Sequence, residues 1–182
     1  SACFKVLRVW DAPPKERYVA TTEVGKQLPK QEHQELLEKL QILPHAEREA
    51  YAQQTSRILA AGLARQLTSF PLDLRVEGEI QRRWPMQEEG QRAYLECQVQ
   101  DFLPRLDDAL LRVVPERIYR ASTAMNIAYA EKAAEIAGVA VDSRFRQHRS
   151  RALAEQLLHH LERTREKGLR GDRLLTDAWA KD

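Results

Sequence analysis

The sequence predicts an α+β fold, mainly helical, with about four antiparallel strands in two β-hairpins covered by helices, in the order ββααββααα. Three observations predict it. Residues 72–84 alternate Leu72, Leu74, Val76, Gly78, Ile80 and Trp84 with Asp73, Arg75, Glu77, Glu79, Gln81 and Arg83, the period of two expected of a strand with one buried face. After a loop at 85–90, residues 92–99 repeat it, with Ala93, Leu95, Cys97 and Val99 inward and Arg92, Tyr94, Glu96 and Gln98 outward. Residues 142–167 contain no glycine or proline and space their leucines as a helix does.

Taken in order, residues 2–10 (ACFKVLRVW) form a strand, 11–15 a turn around two prolines, and 17–24 (RYVATTEV) a second strand rich in β-branched residues. Pro29 stands where proline is tolerated at the start of a helix, and Leu36, Leu37, Leu40 and Leu43 follow at helical spacing. Pro44 ends that helix and starts another, in which Tyr51, Thr55, Ile58, Leu59, Gly62 and Leu63 share an inward face. A glycine on such a face lets a neighbouring backbone come close. The hairpin at 72–99 then buries Leu74, Val76, Ile80, Leu95 and Cys97.

Asp101 is positioned to cap a short helix with Pro104 in its first turn, carrying Leu106, Leu110, Val113 and Val114. Pro115 restarts the chain as a helix. From 116 to 137 it is alanine-rich on several sides, which suits a central position between other elements. After a break at 138–141 comes the helix at 142–167, capped by Asp142 or Ser143 and stopped by Gly168. Its buried face is Leu153, Ala154, Leu157, Leu158 and Leu161. Arg149, Gln156, His160, Arg163 and Lys167 make a stripe of donors beside it, and His148, Glu155, His159, Glu162 and Glu166 lie opposite. Residues 172–180 form a short final helix. The whole chain, 1–182, is expected as a single domain, with 142–182 a basic C-terminal helix and tail helix packed on it.

With 31% charged and 43% hydrophobic residues the chain is apolar enough to fold. Its net charge of +2 is too small to imply nucleic acid by itself, but residues 144–173 hold nine Lys/Arg against four Asp/Glu. Cys3 and Cys97, without a CxxC, fit reduced thiols in a cytoplasm. No run approaches the roughly 18 apolar residues of a membrane span, and no signal peptide opens the sequence. The excess of arginine over lysine, with abundant alanine, resembles the usage of GC-rich bacterial genomes.

The spacings GxGxxG, GxxxxGK[ST], HExxH and GxSxG are all absent. His148, Glu155, His159 and Glu162 share a helical face that could offer metal ligands, but no second element supplies the rest of a site, so no metal is assigned. Glu77 and Glu79 read as cross-strand partners of Arg75, Arg83 and Arg92. Residues 132–149 resemble a helix-turn-helix segment, although Arg144 and Gln147 stand where that motif packs apolar residues.

These readings point to a non-enzymatic bacterial cytosolic binding or adaptor protein that acts through helical surfaces on another protein, with no cofactor and no membrane association, and able to form a homo-oligomer. The alternative is an accessory nucleic-acid-binding protein using the basic C-terminal helix. Either way the expected contact residues are Arg144, Arg146, Arg149, Arg151, Gln156, His160, Arg163 and Lys167. They would pair with acidic side chains in the first case and with phosphates in the second.

Overall fold

The computed structural model describes residues 28–85, 88–164 and 168–180. Its helices are α1 (Lys30–Lys39), α2 (His45–Arg83), α3 (Glu88–Phe102), α4 (Glu116–Ala137), α5 (Ser143–Gln147), α6 (Arg151–Arg163) and α7 (Gly168–Trp179), with 3-10 turns at Leu103–Leu106 and Asp108–Arg112. No strand occurs among the described residues. The expected α+β class is therefore corrected to a helical, bundle-like fold. The hairpin expected at 2–24 lies outside the described residues, as do Cys3 and Lys167.

The second hairpin is where the correction has a clear physical cause. Residues 72–83 are the end of α2, a 39-residue helix that passes through Pro71. Leu74 and Val76 are 2% and 1% exposed, yet they stand roughly 200° apart around the helix axis. A helix covered on opposite sides buries residues at i and i+2, and over a short window that pattern equals a strand's. The adjacent charged residues Arg75 and Glu77 are not a wet face. Arg75 pairs with Asp172 and also donates to Thr164, with the two charged side chains 7% and 3% exposed. Glu77 is buried and accepts a hydrogen bond of 2.8 Å from Gln91.

In α3 the buried set is Leu95, Val99 and Phe102, an i, i+4, i+7 stripe. Cys97, expected inside, is an exposed free thiol. Ile80, also expected inside, is half-buried. The helix expected to start at Asp101 is instead the end of α3 and the two 3-10 turns.

Helix α4 is the centre. Between Pro115 and Gly138, whose φ of 67° ends the helix in the left-handed region, it packs against α2, α3 and α6. Ala124, Ala128, Ala130, Ala133 and Ala134 are buried, and their small size admits neighbouring helices closely. Phe70, Phe102 and Tyr129 meet at centroid distances of 4.9 to 5.5 Å, one ring from each of α2, α3 and α4. On the far side, α7 packs on α2 and α6, and Trp179 donates its indole N–H to the Leu157 carbonyl at 2.9 Å.

The first half of α2 departs from expectation in the opposite sense. Ala52, Ser56, Ala60 and Ala64 are buried, whereas Tyr51 and Ile58 are 55% and 63% exposed. The inward face is the small one. Gly62 lets no backbone approach, because a Cβ built there meets nothing within 4 Å.

Candidate functional site

The basic segment expected as one helix is two. The helix α5 stops at Gln147, and α6 begins at Arg151. The break is held by His148, whose Nδ1 accepts the Ser150 backbone N–H at 3.1 Å. That acceptor role leaves the proton on Nε2, which donates to the Tyr119 hydroxyl at 3.2 Å. The Tyr119 hydroxyl in turn faces the Leu106 carbonyl and Asp108 Oδ1, each at 3.1 Å. Burial pushes the His148 pKa down, with Asp108 opposing, while burial and Asp108 push Tyr119 up. Both are neutral near pH 7, so the group ties three segments together and presents no activated nucleophile.

This break removes Arg149 from the helical stripe. Its guanidinium lies 3.4 Å from Asp108 and 5.5 Å from the centroid of the Tyr119 ring. Arg144 folds back on Asp142, whose side chain also caps α5 and whose pKa is held at about 2 by those bonds. Arg151 bridges Glu131 at 2.9 Å and Glu155 at 3.3 Å. The Glu131 pKa is nevertheless raised, because its burial outweighs the pull of Arg151. Arg146 is exposed near Glu131. Gln156 and Arg163 are exposed and His160 is half-buried on α6. Of the seven expected contact residues that the structure describes, Arg144, Arg149 and Arg151 are thus engaged in ion pairs within the chain. Only Gln156, His160 and Arg163 share one face of α6.

The leucine face is as expected, with Ala154, Leu157 and Leu161 buried. Glu162 is bridged by Lys132, which also holds Glu135, at 2.7 and 2.8 Å. Burial alone would lower the Lys132 pKa, but the two carboxylates outweigh it and hold it up. Among the described residues no three His, Cys, Asp or Glu side chains converge as a metal site.

A cleft that the basic segment does not line lies elsewhere. A cleft of about 390 Å³ runs between α2 and the segment from Arg105 to Thr123. One wall carries Ile58, Leu59, Gly62 and Arg65, the other Arg105, Leu110, Val114 and Ile118. The sequence signal for it is Gly62 within an apolar stripe, where the structure opens a cleft and not the expected close backbone contact. Outside the cleft, Tyr51 on α2 and Ile42 in the turn before it are also exposed, Ile42 at 90%.

Comparison with protein-family models, curated proteins and solved structures finds no match to the chain.

Proposed function

We propose that the protein is a non-enzymatic binding or adaptor protein that engages another protein through the apolar stripe at the start of α2. The observation that carries this reading is the inverted arrangement of that helix. Tyr51 and Ile58, two turns apart on one side, face solvent, while alanines and a serine face the core. A large apolar side chain left in water forgoes roughly 1.5–3 kcal/mol of burial, and two of them on one side of a helix suit an interaction surface. The pairing of Arg144, Arg149 and Arg151 within the chain supports the same reading, since phosphates would have to displace Asp142, Asp108, Glu131 and Glu155. No described helix is long and apolar enough to cross a membrane, and the exposed thiol of Cys97 suits a reducing cytoplasm.

The test has two arms. A photo-crosslinking residue at Tyr51 should give a discrete adduct with one protein in cells expressing the full chain, and the same residue at exposed Arg92 on α3 should not. Equal labelling at both positions, or none at Tyr51, overturns the reading. In the second arm, duplex DNA and single-stranded RNA should not bind at low salt. Binding that weakens steeply between about 50 and 200 mM salt would establish the nucleic-acid alternative instead.

A further inference from the structure

The cleft beside this stripe is chemically polarised. Its apolar end is formed where Leu59, Leu63 and Val114 pack with Ile118, with Ile58 and Leu110 exposed at the lip. Arg105 marks the other end. Its guanidinium lies 5.1 Å from the Phe102 ring, which is 5.5 Å from Phe70, itself a cleft residue. Arg65 is on the same side of α2 as Ile58 but two turns further along, about 10 Å at the rise of a helix. No acidic side chain among the described residues pairs with Arg65 or Arg105. That isolation contrasts with Arg144, Arg149 and Arg151, each of which holds a carboxylate. Between the two ends the wall falls away at Gly62, where a Cβ would meet nothing within 4 Å.

From this geometry we infer that the cleft binds a small amphipathic monocarboxylate, an unbranched fatty-acid-like molecule whose carboxylate is held by Arg65 and Arg105 and whose tail lies over Gly62 toward Ile118. The volume falls within the roughly 300–1,000 Å³ of small-molecule sites, which are typically apolar with a few polar groups fixing orientation. Two arginines without carboxylate partners supply the charge complement for one anion, and guanidinium groups match a carboxylate in geometry as well as sign. An acidic peptide helix would meet the same charges. A helix with its side chains is about 10–12 Å across and does not seat in a cleft of about 390 Å³, whereas a single alkyl chain does.

The inference is independent of the protein-binding reading, because its test uses purified full-length protein and no partner. Octanoate, decanoate and dodecanoate are titrated below their micellar concentrations by calorimetry, beside decyltrimethylammonium and decyl maltoside. The expected result is saturable 1:1 binding of at least one carboxylate, with the cationic and neutral amphiphiles at least tenfold weaker. The Arg65→Gln/Arg105→Gln double variant should weaken the carboxylate about a hundredfold, the loss of two charge-assisted contacts at about tenfold each. Gly62→Leu should abolish binding by filling the wall while the circular dichroism spectrum stays helical. If Gly62→Leu fails to fold, Gly62→Ala serves, with a smaller loss. Absence of saturable binding for all three carboxylates overturns the inference, as does equal binding of all head groups or unchanged binding in folded Gly62→Leu. A photo-crosslinker at Ile58 giving an adduct with residues 1–27 or with a second copy of the chain would assign the cleft to the protein itself and overturn it too.

Discussion

The two halves of α2 use one continuous helix in opposite ways. In the second half, Leu74 and Val76 are buried on opposite sides, and the adjacent charges of Arg75 and Glu77 are satisfied inside the protein by Asp172, Thr164 and Gln91. In the first half, only the alanine and serine positions are fully buried, Leu59 and Leu63 are half-buried, and Tyr51 and Ile58 stand in solvent. The difference teaches that burial along this helix is set by what packs around it and not by the hydrophobicity of its own residues. The second half has α4 and α7 as neighbours. The first half has α1, with Leu36 and Leu40 over Ala52, and the start of α4 with Ile118 over Ala60.

Five substitutions sharpen or break that contrast. The largest effect is expected from Val76→Asp, which buries an unpaired carboxylate and should remove most of a stability of roughly 5–15 kcal/mol. An unchanged melting temperature would show that the second half is not enclosed. Asp172→Ala comes next. Removing one partner of a buried pair leaves the Arg75 charge inside the protein and should cost about 3–5 kcal/mol in urea unfolding; a loss below about 1 kcal/mol would mean that the pair is solvated.

Gly62→Ala works in the other direction. The new methyl meets no atom, and alanine is preferred to glycine in a helix interior, so the protein should gain about 1 kcal/mol. Destabilisation there would show that the first half is tightly packed after all. The smallest effect is expected at Ile58, where truncation to alanine should change stability by no more than about 0.5 kcal/mol. The comparison is direct, because Leu74→Ala on the same helix should cost about 2–5 kcal/mol. Equal losses at the two positions would erase the distinction between the halves.

Local chemistry made several elements legible in the sequence. Proline at 29, 44 and 115 marks the three residues that precede α1, α2 and α4, and Gly138 takes the positive φ that ends α4. The leucine face of α6 and the central place of alanine-rich α4 also follow from spacing and size. These signals act within one or two helical turns, so the sequence alone suffices to read them. Alternation at 72–84 was misread because a period of two has two physical causes, a pleated strand and a helix buried on both sides. Only the neighbours choose between them.

The contact residues show the same division. Sequence position located a cluster of positive charge at 144–173 but not the carboxylates it meets. Asp108 and Glu131 are 41 and 20 residues before Arg149 and Arg151, and their approach depends on how α4 and the 3-10 turn pack against the break at His148. That break is itself tertiary, since His148 is held by Tyr119 from α4 as well as by Ser150. What the sequence by itself determined was therefore the starts of α1, α2 and α4, the α4 stop at Gly138, the apolar face of α6 and the location of charge. The tertiary structure decided which sides of α2 are covered, which arginines keep a carboxylate, and that Arg65 and Arg105 share a cleft. Residues 40 apart in the chain meet only through packing, and no local period records that.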